Sequence, residues 1–308
     1  MPTVRANGID IAYESLGRMS DPAILLVHGL ATPLTGWNDS FCEGLAARGF
    51  RVIRFDNRDI GRSTFLPQFG APDVFAMIAK ARAGERVAAP YSLEDMAADA
   101  AGLLDALGIA KAHLVGASMG GMIAQFVALN HPSRTKSLVS IMSTTGEPGL
   151  PPPDGDAMRA LMALPKSPAR ADRLMTALAA VKAIGGPGFV ASDEERRAYL
   201  GRSIDYTPFD PAAAARHLAA IIAAPPRREK LRSLKIRALV IHGADDPIMP
   251  AAHGEDIARS IPGAKLLLVA GLGHDFTEAA ARLYLEAIGD FVGKVETKAP
   301  ASAGAGRG

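Results

Sequence analysis

The chain has 308 residues, of which 48% are hydrophobic and 21% are charged, and its formal net charge is +2. This composition is typical of a soluble globular protein, and the small charge gives no reason to expect nucleic acid or an anionic membrane as a partner. The single cysteine, Cys42, excludes an intrachain disulfide and a cluster of thiolate metal ligands. It fits a reducing compartment, and the first ten residues lack the order of a signal peptide, so we expect a cytoplasmic protein.

The first hundred residues alternate predicted strands and helices. Asn7-Gly8 joins two β-type runs in a hairpin. The continuous apolar run "AILLV" predicts a strand that is covered on both faces, because a half-exposed strand would alternate apolar and polar residues. A helix is expected to end at Gly49, followed by the strand "RVIRFD". Ser92 begins a predicted helix with acidic residues in its first turn, and Gly108 ends it.

The stretch "LVGASMGGMIAQ", residues 114–125, places a serine where a predicted strand meets a predicted helix. Its centre, "GASMG", is a G-x-S-x-G pattern, which in this context is typical of a nucleophile elbow. The turn is so tight that a side chain at either glycine would clash with a neighbouring strand or helix. It would lift the Ser118 hydroxyl above the sheet and aim the Met119 N–H at the oxygen of an attacked carbonyl.

The second half of the chain is interrupted by a long insertion. Strand, helix and strand follow one another up to residue 142, which indicates parallel βαβ units with helices on both faces of a sheet. Near residue 146 the chain becomes rich in Pro and Gly, and from about 155 to 232 we find helical patterns only. Strand character then returns in "IRALVIHG" and "AKLLLVAG". We therefore predict a core over residues 1–146 and 233–295, an all-helical lid over 147–232, and a disordered tail over 296–308.

Residues 112–133 include no Lys, Arg, Asp or Glu, which requires a test for a membrane span. Polar residues are scattered through this stretch and three glycines interrupt it, so we predict a buried strand, turn and helix instead. We expect no membrane partner and no nucleic-acid partner. The sequence leaves the oligomeric state open.

A serine is a poor nucleophile at neutral pH and needs a general base, for which the chain offers seven histidines. In this arrangement the acid and then the histidine follow the serine along the chain. His274, in "GLGHDF", lies after the last predicted strand and before the last helix, at the carboxyl edge of the sheet. We predict that His274 is the base. Of the others, His217 lies in the inserted module and His253 begins what reads as a surface helix.

The acid that orients this base is expected after the strand "RALVIHG". The loop there offers Asp245 and Asp246, and the spacing Gly243-x-x-Asp246 favours Asp246. Asp245 then becomes a turn residue that accepts backbone N–H bonds. An acid after the earlier strand "SLVSIMS" is another known arrangement, but the first carboxylate in that loop is Glu147.

A second N–H donor is needed to stabilise the charge that develops on an attacked carbonyl oxygen. His28-Gly29 follows the strand "AILLV" and would bend the chain so that the next amide points inward. We predict that the N–H of Leu30 acts with that of Met119 as an oxyanion hole. His28 itself is expected to be structural, with its ring tying the loop to its neighbours.

The motifs "VHGL", "RFDNRDIGRS", "GASMGG", "HGADDPIMP" and "GLGHDF", in this order, resemble the α/β-hydrolase superfamily over about residues 3–293. The stretch "FDNRDIGRST" most resembles the aclacinomycin methylesterase group. The resemblance implies an α/β-hydrolase fold, with a mostly parallel sheet flanked by helices and a lid. It also implies a serine esterase that acts on a small carboxylic ester. In this superfamily the stretch is a structural corner, so Asp56, Arg58 and Gly61 are expected to be structural.

The residues predict ester hydrolysis in which Ser118 attacks, His274 transfers the proton and Asp246 orients the imidazole. Neither a metal nor an organic cofactor is needed. Hydrolysis of a lactone or a C–C bond, or perhydrolysis with peroxide, would use the same residues, and a ligand receptor of this fold is the alternative from another class. The predicted substrate-binding residues are Leu30, Met158, Met162 and Phe209, and further candidates for the pocket wall are Met175, Phe189, Tyr199 and Tyr206.

Overall fold

An eight-stranded sheet forms the centre of the computed structural model, which describes residues 1–297. The strand order is β1-β2-β4-β3-β5-β6-β7-β8. The pairs β1–β2 and β2–β4 are antiparallel, and every pair of neighbours from β4 to the β8 edge is parallel. The strands are β1 (Thr3–Ala6), β2 (Ile9–Leu16), β3 (Ala23–Val27), β4 (Arg51–Phe55), β5 (Ala112–Ala117), β6 (Thr135–Ile141), β7 (Arg237–Gly243) and β8 (Lys265–Val269).

Helices cover both faces of this sheet, which explains the continuous apolar strands. In β3 every residue is buried. Leu25 and Val27 pack into the apolar cluster on one face, and Ile24 and Leu26 pack into the cluster on the other. Each such burial contributes about 1.5–3 kcal/mol. One face carries α3 (Leu93–Ala106), α4 (Met119–Asn130) and α10 (Ala252–Ser260), and the other carries α1 (Asp39–Ala47) and α11 (Glu278–Glu296).

The insertion lies between two strands that are neighbours in the sheet. β6 pairs directly with β7, for example Val139 with Leu239, although the chain between them is long. That chain is helical and contains α5 (Gly155–Leu161), α6 (Arg170–Ile184), α7 (Asp193–Tyr206), α8 (Pro211–Ala223) and α9 (Arg228–Leu231). The predicted fold class, a mostly parallel sheet with helices and a helical insert, is confirmed. The division at residues 147 and 232 stays a prediction.

A second segment joins the insert. α2 (Val74–Arg82) follows β4 in the chain and packs against α8 of the insert. Of the predicted tail, the first residue still belongs to α11, and the part beyond Thr297 lies outside the described residues. Among the helices of residues 1–297, none is long and apolar enough to cross a membrane.

The parallel strands all end at one edge of the sheet, and the predicted functional residues follow these ends. Leu30 comes after β3, Ser118 directly after β5, Asp246 after β7 and His274 after β8. Loops at the carboxyl edge of an open α/β sheet are the usual place for a ligand site.

Candidate active site

Ser118 occupies a strained turn between β5 and α4. Its φ is 55° and its ψ is −120°, a conformation that an L-residue adopts only where the surroundings impose it. The surroundings do so here, because Ser118 N–H donates to the carbonyl of Ile141 (2.9 Å) on the neighbouring strand. A Cβ at Gly116 would collide with the backbone of Gly120, and one at Gly120 would collide with that of Val27. The glycines thus allow the close approach that the elbow needs.

Three side chains from different loops form one hydrogen-bonded chain. Ser118 Oγ lies 3.0 Å from His274 Nε2, and His274 Nδ1 lies 2.8 Å from Asp246 Oδ2. When the ring is neutral with its proton on Nδ1, it donates to Asp246 and accepts from the serine hydroxyl. The structure therefore brings together the three residues that the sequence singled out, at distances that allow proton transfer from Ser118.

Asp246 is fixed by more than His274. Its Oδ1 accepts from the backbone N–H groups of Ile248 and Met249, each at 2.8 Å. Burial alone would raise the pKa of Asp246, but His274, the N–H of Met249 and His242 outweigh it and lower that pKa. A carboxylate that stays charged can stabilise an imidazolium. Asp245, in contrast, is exposed and accepts from Gly271 N–H (2.7 Å).

The loop after β3 lies against the serine. A Cβ at Gly29 would lie 3.1 Å from that of Ser118, so the backbone of this loop adjoins the nucleophile. Among the described residues, neither Leu30 N–H nor Met119 N–H has a hydrogen-bond acceptor. Both N–H groups are thus free for a ligand oxygen. His28 is buried against Trp37, with ring centroids 4.9 Å apart, and burial lowers its pKa to about 4.

A lid histidine holds this same loop, which sequence reasoning missed. His217, on α8, accepts from Ala31 N–H (3.2 Å) through Nδ1 and donates to the carbonyl of Arg58 (2.6 Å) through Nε2. Its neighbour Arg216 is also buried and forms a bidentate ion pair with Asp59 of the core. An Arg-His pair within an alanine-rich helix was the available signal, because such residues are rarely buried without partners.

The insert also touches the loop that carries His274. Residues 184–188 pack directly on residues 271–275, and we call this contact the glycine seam. The backbone N–H of His274 donates to the carbonyl of Ile184 (2.8 Å), the last residue of α6. A Cβ at Gly186 would collide with the backbone of the opposite segment. The position of His274 is therefore tied to the end of a lid helix.

Asp275 lies inside this seam with an incomplete set of partners. Its Oδ2 accepts from Gly186 N–H (3.3 Å), while its buried Oδ1 has no partner among the described residues. The pKa of Asp275 is raised to about 6, mainly by burial and to a smaller extent by Asp246, whereas Gly186 N–H, Arg196 and His274 act in the opposite direction. This group has no signal in the sequence, because its neighbours come from a distant segment.

A cavity of about 720 Å³ lies between the insert and the carboxyl edge of the sheet, and Ser118 and His274 form part of its wall. The four predicted substrate-binding residues all line it, namely Leu30, Met158, Met162 and Phe209. Tyr199 lines it as well. A largely apolar cavity of this size fits a drug-sized molecule.

Three further candidates for this wall lie elsewhere, so that expectation was wrong for them. Tyr206 turns away and donates from its hydroxyl to Asp56 Oδ2 (2.7 Å). Met175 is 56% exposed on the outer side of the insert. Phe189 packs against the core cluster that α1 and α11 cover. The residue types alone did not show which of these side chains faces the cavity.

The corner after β4 has the structural contacts expected of it. Asp56 accepts from Leu34 N–H (2.7 Å), and a Cβ at Gly61 would collide with its carboxylate. Arg58 forms a buried ion pair with Asp99. The expectation of a surface position for His253 was wrong, because this residue is buried.

His253 hydrogen-bonds through both ring nitrogens, to Thr144 Oγ1 (2.7 Å) and to the carbonyl of Pro151 (2.9 Å).

Within residues 1–297, no group of three or more His, Cys, Asp or Glu side chains is arranged to hold a metal ion.

Residues 22–278 match the family model described as "alpha/beta hydrolase fold". The rhodomycin D methylesterase DauP of Streptomyces sp. (strain C5) is 30% identical over 298 residues, which cover 89% of this chain and 92% of that protein. A 2-hydroxy-6-oxononadienedioate/2-hydroxy-6-oxononatrienedioate hydrolase of Burkholderia vietnamiensis (strain G4 / LMG 22486) is 28% identical over 284 residues, 90% of each chain.

Among solved structures, the enol-lactonase from Burkholderia xenovorans LB400 is similar, with a TM-score of 0.69 and 25% identity. The match covers 95% of this chain and 100% of that one.

Proposed function

Since the chain belongs to the α/β-hydrolase family, we propose that it cleaves a carboxylic ester of a small molecule through an acyl-enzyme intermediate on Ser118. The family that the motifs indicated, including the similarity to the methylesterase group, is confirmed. The observation that carries the proposal is the hydrogen-bonded chain from Ser118 through His274 to Asp246. A hydroxyl that can pass its proton to an oriented imidazole is what attack on an ester carbonyl requires.

The proposed reaction has two halves. In the first, Ser118 Oγ attacks the ester carbonyl while His274 Nε2 takes its proton, and the charged oxygen accepts from the N–H groups of Leu30 and Met119. His274 then gives its proton to the leaving alkoxide, which departs as the alcohol. In the second half, His274 takes a proton from a water molecule that attacks the acyl group. The bond between the acyl carbon and Ser118 Oγ then breaks, His274 returns the proton to Oγ, and the acid leaves. Asp246 keeps the imidazole in the tautomer that can accept from serine.

The choice of an ester over other substrates rests on the relatives. The protein that is 30% identical is described as a methylesterase. The hydrolase at 28% and the enol-lactonase at 25% carry other substrates in their names, and the residues proposed here could serve those reactions too. Lactones and C–C bonded diketones therefore belong in the test as competitors.

The test combines labelling with turnover. A fluorophosphonate probe should label the protein once, at Ser118, and Ser118→Ala should abolish labelling while the melting temperature stays within a few degrees. Methyl and p-nitrophenyl esters, a lactone and a vinylogous diketone are then assayed at equal concentration. We expect the highest kcat/KM on an ester. Labelling at another serine would overturn the assignment of the nucleophile, and a highest kcat/KM on the lactone or the diketone would overturn the ester. Slow release of bound ligand without turnover of any substrate would favour a receptor.

A further inference from the structure

One face of α6 forms a wall of the cavity from end to end. Arg173, Ala177, Ala180 and Ile184 all line the cavity, at the spacing of successive helical turns. Ile184 is the residue whose carbonyl holds His274, so this end of the helix adjoins the reaction centre. With a rise of 1.5 Å per residue, Arg173 lies about 16 Å farther along the helix axis. The two alanines between them leave room for a ligand.

Arg173 has no carboxylate partner in the part of the chain that the structure describes. Its guanidinium donates one hydrogen bond, to the carbonyl of Thr207 (3.1 Å), and lies 5.2 Å from the centre of the Phe209 ring. The nearby carboxylate of Asp205 is bound by Arg170, at 2.6 Å and 2.8 Å. A guanidinium has five N–H donors, so most of those on Arg173 are unused.

Two of the acids that line the cavity are bound by a different arginine. Asp59 forms a bidentate ion pair with Arg216, and Asp210 lies 3.5 Å from the same guanidinium. Partial burial lowers the pKa of Arg173, since desolvation disfavours its charged form and the charge of Asp205 compensates only in part. A negatively charged group on a ligand would supply Arg173 with the carboxylate partner that the described part of the protein does not provide.

A second polar atom without a partner lies beside Arg173. Thr207 lines the cavity, and its hydroxyl is buried and has no hydrogen-bond partner among the described residues. The carbonyl of this same residue accepts from Arg173, so the hydroxyl and the guanidinium are neighbours. An unpaired buried hydroxyl costs on the order of 1–3 kcal/mol, and a ligand oxygen would remove that cost.

We propose that Arg173 and Thr207 form a carboxylate subsite, and that the substrate is an ester with a carboxylate at the end remote from the ester group. The proposal rests on the proposed esterase function, because it uses Ser118 to fix the position of the ester. One guanidinium fork matches a single carboxylate, and the apolar wall between the two ends matches a hydrocarbon body. The subsite would select among esters by binding, at a distance from the reacting atoms.

The experiment uses two matched series of methyl esters. In one series, the monomethyl esters of linear α,ω-dicarboxylic acids, the far end is a carboxylate. In the other, the methyl ω-hydroxyalkanoates of equal length, it is a neutral hydroxyl. Lengths are graded up to the roughly 16 Å that separates the two ends of the wall. At the best length, we expect kcat/KM to be about tenfold higher for the carboxylate series, mainly because its KM is lower. The preference is no larger than this because the site is partly exposed to solvent, which weakens charge interactions.

The variant Arg173→Gln keeps a donor for the carbonyl of Thr207 but removes the charge. It should abolish the preference for the carboxylate series and leave the hydroxyl series within about twofold, as expected for the loss of a charge-assisted contact only. Thr207→Val should reduce the preference by a few-fold. Arg159→Gln is the matched control, since Arg159 is an exposed lid arginine on α5 that pairs with Asp156. This control should change neither series.

Binding to Ser118→Ala separates the subsite from the chemistry. Calorimetry with the same two esters should show tighter binding of the carboxylate form, and the added change Arg173→Gln should remove the difference. Turnover of esters without any preference for the carboxylate, and equal binding of both forms, would overturn the subsite while leaving the esterase function intact. Carboxylate-selective binding that depends on Arg173, without turnover of any ester, would support the subsite and overturn the esterase function.

Discussion

At the scale of single residues, two adjacent aspartates offer the sharpest test of the site. Asp246→Asn should lower kcat by up to about 10⁴-fold, the size of loss seen when the orienting acid of a serine protease becomes an amide. The amide can donate to Nδ1 and so favours the tautomer that no longer accepts from Ser118. Asp245→Asn should cost little, because an amide oxygen can still accept from Gly271 N–H. Steady-state kinetics on one ester compares the two.

Both variants must be shown to be folded, and their melting temperatures serve as the control. Similar melting temperatures with a crippled Asp245→Asn would assign the orienting acid to Asp245. The distance of 2.8 Å between Asp246 Oδ2 and His274 Nδ1 argues against that outcome.

Asp275 predicts a dependence of stability on pH. Burial raises its pKa to about 6 in the folded protein, above the ordinary value of 3.8. A raised pKa in the folded state means that its contribution to stability is fully present below about pH 4. That contribution is then lost as the pH rises to about 6, and the loss is on the order of 3 kcal/mol. Asp275→Asn should therefore melt at a higher temperature than the wild type at pH 8.

The measurement is the difference in melting temperature between Asp275→Asn and the wild type, taken from pH 4 to pH 8. Other titrating groups are common to both proteins, so their effects largely cancel in the difference. The difference should grow up to about pH 6–7 and then stay constant. A difference that is the same at every pH would show that folding does not raise the pKa of Asp275.

The residues that sequence reasoning found and missed differ in where their partners lie. Ser118 carries its signal in the adjacent glycines, and Asp246 carries it in the local spacing after a strand. The contacts of His217 and Asp275 cross from the insert to the core, over 186 and 89 residues respectively. Spacing along the chain cannot report such a contact. The catalytic roles themselves stay predictions until the variants are measured.

At the scale of elements, local chemistry made several boundaries predictable. Ser92 and Asp95 form a reciprocal capping box at the start of α3, as the serine and the acidic first turn indicated. β8 was predicted from its leucine run, but its position at the edge of the sheet was not. Leu266, Leu267 and Leu268 are 36–41% exposed there. An apolar run indicates that a strand forms. Whether that strand lies inside the sheet or at its edge depends on the order of the strands, which the run does not show.

The glycine seam gives a prediction for one element contact. Gly186→Ala would force a methyl group into the backbone of the segment that carries His274. Overpacking of this kind typically costs 1–3 kcal/mol, and a shift of about 1 Å at a catalytic group can cost 10²-fold in rate. We expect kcat to fall by about that factor on esters of every length. Melting curves and kcat on a short and a long ester check it.

Gly293→Ala is the matched control for this change. A Cβ at Gly293, in α11, would meet nothing within 4 Å, so the variant should gain up to about 1 kcal/mol from helix propensity and keep its kcat. An unchanged kcat in Gly186→Ala, with an intact fold, would show that the seam does not position His274.

At the scale of the whole molecule, the sequence predicted the layers of the fold better than it predicted the contacts between distant segments. The alternation of strands and helices predicted the parallel sheet, and the break near residue 146 predicted the helical insert. The pairing of β6 with β7 agrees with a helical insert placed between two neighbouring strands of one sheet. The contact of α2 with α8, which lies in the opposite half of the sequence, needed the folded chain. Such a contact depends on packing between segments that carry no mutual signal in one sequence.

The glycine seam also limits where this lid can be replaced by the lid of another protein. A graft that replaces α7 and α8 changes the walls of the cavity but leaves the support of the base intact. A graft that enters residues 184–188 does not, because Gly188 N–H also donates to the carbonyl of Gly271 (2.8 Å) and the two backbones fit only each other. A recombinant lid from a relative should therefore be joined after residue 188, or be moved together with the loop that carries His274.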